Sequence, residues 1–96
     1  MNEPRYQLDF AEGVRRQLER LPGHIYQRAK RIIESLRLDP RPSYAERLRG
    51  RTERYKIALG EYRMVYRVHE DILLVLMLKV GKKHGPEFYN AIEDFE

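Results

Sequence analysis

The sequence contains no cysteine, which excludes a disulfide framework, thiolate metal ligands and a cysteine nucleophile. Its longest apolar run, Ile72 to Leu78, has seven residues, far below the roughly 20 that span a bilayer. The first residues, MNEPRYQ, lack the apolar core of a signal peptide. We therefore expect a cytoplasmic protein that does not insert into a membrane.

Glycine and proline are also scarce, with 6 and 5 residues respectively, so the chain does not have a low-complexity composition. Hydrophobic residues make up 42% and charged residues 35% of the 96 positions, which predicts one globular domain over residues 1–96. The formal net charge is +4. An excess of this size is informative about function only if it is concentrated on one surface.

The first half of the chain predicts one strand and two helices. Alternation of Tyr6, Leu8 and Phe10 with polar residues predicts a strand over residues 4–9. Asp9 and Glu12 have the spacing of a capping box, and apolar residues then recur at positions 10, 14, 18 and 21. Pro22-Gly23 ends this helix, and the apolar stripe resumes from Ile25 to Leu36. Two helices with so short a link form an antiparallel hairpin that can cover a sheet.

The second half predicts three strands after a proline-bearing, basic connector at residues 40–53. The strands are Arg54 to Leu59, Tyr62 to His69 and Ile72 to Val80. Gly60-Glu61 suits a two-residue type II′ turn, and the aliphatic third strand is typical of a central, covered position. Gly85-Pro86 predicts the start of a short terminal helix with Phe88, Ala91, Ile92 and Phe95 as its apolar stripe.

The turn predicts which residues of the hairpin share a face. One face is apolar and pairs Leu59 with Tyr62, Ile57 with Met64 and Tyr55 with Tyr66. The other face pairs Ala58 with Arg63, Lys56 with Val65 and Arg54 with Arg67. Facing like charges destabilise a ladder, so a fold with no use for them is expected to intersperse carboxylates there. Nearby basic residues extend the charge, namely Arg47, Arg49, Arg51, Lys79, Lys82 and Lys83.

This cationic face predicts a polyanionic partner, with phosphates as the expected ligands. The alternative is a solvated face that carries arginines for solubility. Cleavage of RNA without a metal needs charge stabilisation, a group that removes the 2′ proton and a group that protonates the leaving 5′ oxygen. The three histidines have no metal-ligand spacing, and no metal or cofactor site is predicted.

Lysine and tyrosine are the titratable groups near the predicted cationic face. Crowded cations lower the pKa of both residue types, so Lys83 could donate a proton and Tyr89 could be activated. Tyr89 falls outside the predicted core stripe, and it either stacks on a base or lies on the rim of the core.

Several motifs together resemble the RelE family of bacterial and archaeal toxins. They are Leu48-Arg49-Gly50, Tyr55-Lys56-Ile57, the segment GEYRMVYRV at residues 60–68, and VGKK at residues 80–83, followed by Tyr89. The resemblance covers nearly the whole chain. It implies an α+β, microbial-ribonuclease-like β-α-α-β-β-β fold with a short C-terminal helix. In that fold, a mainly antiparallel four-stranded sheet is covered by a helical hairpin.

The resemblance also implies roles for single residues. Lys56 is similar to a strand lysine that activates or stabilises the reacting group, and Arg63 to the arginine that holds the scissile phosphate. Lys83 stands in the place of a general acid that is often arginine, and Tyr89 is similar to the tyrosine that stacks on the message and assists proton removal. With the cationic face, this predicts RNA contacts by Arg49, Arg54, Arg67 and Lys82. Ala58 departs from the family, because well-known members carry a second strand lysine there.

The activity implied is ribosome-dependent cleavage of mRNA in the A site by a type II toxin, without a cofactor. The expected partners are the 70S ribosome with its mRNA and an acidic RelB-type antitoxin, through which alone operator DNA is bound. Two alternatives remain open. One is a ParE-like gyrase inhibitor, which needs no basic catalytic set. The other is a weakened toxin homologue that binds antitoxin or RNA without cutting, as Ala58 would allow.

Overall fold

The computed structural model describes residues 5–50 and 53–89. Within these residues, five strands and two α-helices follow in the order β1 (Gln7–Phe10), α1 (Val14–Glu19), α2 (Gly23–Ser35), β2 (Glu46–Arg47), β3 (Arg54–Leu59), β4 (Tyr62–His69) and β5 (Leu74–Lys82). Short 3₁₀ turns lie at Glu70–Ile72 and Pro86–Tyr89. The predicted α+β class is confirmed. No helix among the described residues is long and apolar enough to cross a bilayer.

The strands form one sheet in the order β1-β5-β4-β3-β2. β1 runs parallel to β5, and the other neighbours are antiparallel. This sheet has one strand more than the four expected, because Glu46–Arg47 in the predicted connector pairs with β3. A strand of two residues is too short to show the alternation by which strands are recognised in a sequence.

The β3–β4 hairpin has the predicted register at every pair from Arg54↔Arg67 to Leu59↔Tyr62. Gly60 has a φ of 62°, as the first position of a type II′ turn requires. The register is determined by this turn together with burial of the apolar set, since a slip of one residue would expose Ile57 and Met64. The hairpin therefore has one apolar face and one face that carries the basic residues.

The helical hairpin covers the apolar face. Val14 and Leu18 of α1 and Ile25, Ala29 and Ile33 of α2 belong to one buried cluster with the inward residues of β3, β4 and β5. This confirms the predicted cover. The predicted capping box is wrong, because parallel pairing with β5 extends β1 to Phe10 and α1 begins only at Val14, after Gly13 at a φ of 88°.

The end of the chain covers part of the opposite face. Phe88, in the turn at Pro86–Tyr89, packs with the fully buried Val65 of β4. A Cβ at Gly81 would lie 3.5 Å from the Phe88 ring, an ordinary van der Waals distance, so the ring packs directly over this position of β5. The structure has a 3₁₀ turn where a terminal α-helix was predicted to begin. Ala91, Ile92 and Phe95, which the same prediction included, lie outside the described residues.

The predicted third strand begins later than expected. Ile72 belongs to the 3₁₀ turn and is 62% exposed, and Leu73 turns the chain at a φ of 51° before β5 starts at Leu74. Because Ile72 is hydrophobic and adjoins the strand, the sequence predicted that it belongs to the strand. In the structure, Ile72 and Leu73 lie in the β4–β5 connection, where the chain reverses its direction. β5 nevertheless lies inside the sheet, between β1 and β4, as predicted.

Candidate active site

A cavity of about 250 Å³ opens on the basic side of the β3–β4 hairpin. It is lined by Tyr44, Glu46, Lys56, Ala58, Arg63 and Lys83. Three of the four predicted catalytic residues therefore meet at one cavity, although they come from β3, β4 and the segment after β5. A larger groove of about 360 Å³, near β1 and the two helices, is lined partly by Phe10, Leu18 and Tyr26 and has no comparable group of predicted catalytic side chains.

Lys56 projects from the middle of β3 and is half-buried. Its Nζ lies 3.6 Å from a carboxylate oxygen of Glu46, the residue opposite it on β2. The same Nζ lies 4.9 Å from the centre of the Tyr89 ring, within the range of a cation–π contact. These two contacts hold the ammonium group between the connector and the C-terminal turn.

Arg63 stands beside the hairpin turn, opposite Ala58. Its Nη1 donates hydrogen bonds to the carbonyl oxygens of Gly60, at 2.6 Å, and Tyr62, at 2.9 Å. The hairpin backbone thus fixes the guanidinium at the cavity wall. Because guanidinium has five N–H donors in a planar fork, a group held in this way can still bind an oxyanion.

Lys83 and Tyr89 are positioned by the C-terminal segment. The backbone N–H of Lys83 donates to the carbonyl oxygen of Glu61 at 2.9 Å, and its Nζ lies 5.7 Å from the Tyr89 ring centre. Lys79 anchors the turn by donating a 2.8 Å hydrogen bond to the carbonyl oxygen of Phe88. Tyr89 therefore joins Lys56 and Lys83, and all four predicted catalytic residues lie in one region.

The Tyr89 ring packs edge-on against Phe88, with 5.3 Å between ring centres. Its hydroxyl is buried and has no hydrogen-bond partner among the described residues. The sequence allowed two positions for Tyr89, stacked on a base or lying on the rim of the core. The observed packing places the ring on the rim of a small core. The ring also contacts two ammonium groups, so it forms one border of the cationic region.

The four predicted RNA contacts differ in their surroundings. Arg49 is exposed just after β2, and Arg67 is half-buried beside Arg54. Arg54 is only 2% exposed, so its side chain lies within the protein and not on its surface. Lys82 is opposite Tyr62 on the apolar side of the register, and its Nζ pairs with Glu61 at 3.2 Å.

Two carboxylates pair with basic residues of this region. Glu46 pairs with Lys56 and lines the cavity, and Glu61 pairs with Lys82 beside the hairpin turn. Sequence reasoning missed Glu46 because it lies in the two-residue β2, whose partner on β3 is not determined by any periodic pattern. Only its position two residues before Leu48-Arg49-Gly50 could have indicated a link to the site.

A polar cluster anchors the connector that carries Glu46. Arg41 donates hydrogen bonds to Glu53, Tyr55 and Glu70 at 2.8 to 3.3 Å. Burial lowers the pKa of Arg41, but these hydrogen bonds outweigh that effect and raise it above its usual value. The hydrogen bond from Arg41 holds the pKa of Glu53 below its usual value. The buried Tyr66 hydroxyl also donates to the carbonyl oxygen of Pro40 at 2.7 Å.

Comparison with known proteins identifies the class to which this arrangement belongs. A free variant of the E. coli toxin RelE superposes with a TM-score of 0.76 at 30% identity, covering 91% of this chain and 93% of that one. An E. coli RelE variant in complex with an antitoxin RelB peptide gives a TM-score of 0.75 at 29% identity, covering 96% and 98%. The fold is that of the RelE toxins.

Sequence similarity extends over most of the chain. The mRNA interferase toxin RelE of E. coli K12 is 32% identical over 87 residues, which cover 88% of this chain and 90% of the relative. The chain belongs to the RelE toxin family, which confirms the resemblance found in its motifs. Residues 3–81 also match the family model of the TrmO C-terminal domain, so this part of the chain belongs to that domain family as well.

Proposed function

We propose that the chain is the toxin of a type II toxin–antitoxin system and cleaves ribosome-bound mRNA in the A site, by attack of the ribose 2′-OH on the adjacent phosphate. The observation that carries this proposal is the convergence of Lys56, Arg63 and Lys83 on one cavity of about 250 Å³. The name of the E. coli relative, an mRNA interferase toxin, supports the same activity.

The cavity offers a group for two of the requirements of metal-free cleavage. Arg63 binds the scissile phosphate through its guanidinium, and Lys56 stabilises the negative charge that develops on the phosphorane. Lys83 donates a proton to the 5′ oxygen as the bond between phosphorus and that oxygen breaks. The upstream fragment then ends in a 2′,3′-cyclic phosphate. Tyr89 borders the two lysines and limits how the reacting nucleotide enters.

Basic residues around the cavity supply a path for the RNA backbone. Arg49 is exposed and Arg67 is half-buried, and we assign both to phosphate contacts. Lys82 lies on the apolar side of the hairpin, and it would contact phosphate there only by exchanging its partner Glu61. Arg54 is only 2% exposed and faces Arg67 across the β3–β4 ladder, so we assign it no direct RNA contact.

A RelB-type antitoxin is the proposed protein partner, as the complex of the E. coli relative with an antitoxin peptide supports. An acidic antitoxin would be attracted by the net charge of +4. Binding to operator DNA would occur only through the antitoxin. Because the substrate is mRNA on the 70S ribosome, the proposed activity takes place in the cytoplasm.

Two alternatives have different signatures. A ParE-like gyrase inhibitor shares the fold but needs no set of catalytic cations, so the convergence of Lys56, Arg63 and Lys83 favours the nuclease. A weakened homologue that binds without cutting is favoured only by Ala58, which leaves an exposed small residue in the cavity wall where family members carry lysine.

The test is in vitro translation with toeprinting of the mRNA. Wild-type protein is expected to produce cuts within ribosome-bound codons, and Arg63→Ala is expected to slow cleavage by about 100-fold or more, because it removes the phosphate-binding group. Antitoxin binding by Arg63→Ala should stay nearly intact. Arg31→Ala, an exposed arginine of α2 on the other side of the sheet, serves as the matched control.

The other outcomes identify the alternatives. Intact mRNA together with inhibited DNA supercoiling by gyrase would establish the ParE-like function. Intact mRNA without gyrase inhibition, but with antitoxin bound, would establish the weakened homologue. Cleavage by Arg63→Ala at the wild-type rate would show that the assigned cavity is not the active site.

A further inference from the structure

We infer that Tyr44 is the residue on which a base of the message stacks, next to the scissile phosphate. This inference rests on the proposed nuclease function and adds a contact to the base. The cations that line the cavity, Lys56, Arg63 and Lys83, are suited to phosphate. Phosphate contacts position the backbone of a nucleic acid without engaging its bases. An aromatic ring engages a base of any kind, because every base has a π-face.

The ring of Tyr44 is open to solvent. Tyr44 is 52% exposed, and across the described part of the chain every other phenylalanine and tyrosine is buried or half-buried. Tyr55 and Tyr66, for example, stack on each other with 5.6 Å between their ring centres. A single exposed apolar side chain is ordinary on a protein surface. This one lines the cavity that holds the proposed catalytic cations, so its exposed face is available to the substrate.

The backbone on both sides of Tyr44 is anchored. The N–H of Ala45 donates to the carbonyl oxygen of Pro42 at 3.0 Å, which closes a β-turn, and Ala45 packs against the main core. On the other side, the carbonyl oxygen of Pro40 accepts the 2.7 Å hydrogen bond from the Tyr66 hydroxyl. Tyrosine has only two side-chain torsions, so a ring on this backbone stacks at a low cost in conformational entropy.

The strand register places Tyr44 in line with the proposed phosphate site. Glu46 pairs with Lys56, and continuing this antiparallel register by two residues brings position 44 beside Ala58, which faces Arg63 on β4. One strand therefore separates Tyr44 from Arg63, or roughly 10 Å between the outer backbones. Both side chains line the same cavity. A nucleotide whose phosphate is bound by Arg63 can therefore lay its base on the Tyr44 ring.

Tyr89 is the other aromatic ring near these cations, and its surroundings are different. It packs edge-on against Phe88, and the ammonium groups of Lys56 and Lys83 lie 4.9 and 5.7 Å from its ring centre. Its hydroxyl is buried. Contacts within the protein therefore already use the Tyr89 ring, whereas the Tyr44 ring contacts no aromatic ring or cation among the described residues. This contrast favours Tyr44 as the stacking residue.

The first experiment measures single-turnover cleavage on programmed ribosomes as a function of protein concentration. Stacking acts in the bound complex both before and during the reaction, so its loss should raise the half-maximal concentration and change the maximal rate little. We expect Tyr44→Ala to raise the half-maximal concentration about 10-fold. Tyr44→Phe keeps the ring and should recover most of this loss. Ile72→Ala truncates another exposed apolar residue, 62% exposed in the β4–β5 connection, and serves as the matched control.

A second experiment separates stacking from a structural role of the ring. It uses two messages that each lack one base, on the 5′ or the 3′ side of the cut, and retain the ribose and phosphate. One of these abasic messages should raise the half-maximal concentration of wild type about 10-fold. The same message should affect Tyr44→Ala much less, because the two partners of one contact are coupled and that contact is already lost. Tyr44→Phe should respond as wild type does.

Equal losses by wild type and Tyr44→Ala on both abasic messages would overturn the inference and leave the nuclease function standing, because the wild type would still cut at ribosome-bound codons. An unchanged half-maximal concentration for Tyr44→Ala would also overturn it. Failure of the wild type itself to cut would overturn the proposed function, on which the inference rests. Thermal unfolding of each variant controls for loss of structure.

Discussion

At the scale of single residues, the fold brings together four residues that are far apart in the sequence, namely Lys56, Arg63, Lys83 and Tyr89. A two-residue turn at Gly60-Glu61 brings Lys56 and Arg63 to one face, and return of the chain through β5 brings Lys83 beside them. This much follows from period-two alternation and turn chemistry in the sequence. Glu46 could not be predicted in this way, since it belongs to no periodic segment.

Ala58 provides the first test at this scale. Its small side chain lies in the cavity wall opposite Arg63, so Ala58→Lys would add an ammonium group next to the phosphate site. We expect the cleavage rate of ribosome-bound mRNA to rise about tenfold, through added stabilisation of the phosphorane. Gln27→Lys, which adds the same charge on an exposed position of α2, should leave the rate unchanged. No increase in Ala58→Lys would mean that the existing cations already supply this stabilisation.

At the scale of secondary-structure elements, long periodic segments were predictable and short ones were not. α2, β3 and β4 follow from patterns that repeat over at least six residues. β2 has two residues, and the start of α1 was displaced because a strand pairing competed with a local capping pattern at Asp9. Pairing between strands that are distant in the sequence therefore determines the bounds of those elements that the local sequence specifies weakly.

The connector that bears β2 is anchored by Arg41 and Glu53, which makes stability depend on pH. The pKa of Glu53 in the folded protein lies below its unfolded value, so its ion pair stabilises the fold fully above about pH 4.3, the reference pKa of glutamate. That stabilisation is lost as the pH falls through the folded-state pKa. The side chains are about one-third exposed, which limits the effect.

Glu53→Gln tests this dependence by thermal unfolding between pH 3 and pH 7. At pH 7 we expect the variant to unfold at a lower temperature than wild type, by a few degrees for a loss of about 1 kcal/mol. The difference should shrink toward pH 3, where the wild-type carboxylate is also neutral. A difference that stays constant over this range would contradict the assigned ion pair.

At the scale of the whole molecule, the two faces of the sheet have different roles. The helical hairpin covers one face and forms the main core, while the other face carries the basic residues and a small core around Val65 and Phe88. The fold class and the helix-covered face were predictable because burial of apolar stripes determines both. How the C-terminal turn folds over the basic face was not predictable, since it depends on packing of Phe88 over Gly81.

The central claim is that this basic face breaks RNA through the ribose 2′-OH. The most direct measurement is cleavage of a ribosome-bound mRNA that carries one 2′-deoxynucleotide at the position the protein cuts, beside the same mRNA with ribose there. The account predicts cleavage of the all-ribose message with a 2′,3′-cyclic phosphate on the upstream fragment, and no cleavage at the deoxy-substituted linkage. Cleavage at that linkage at an undiminished rate would contradict the account.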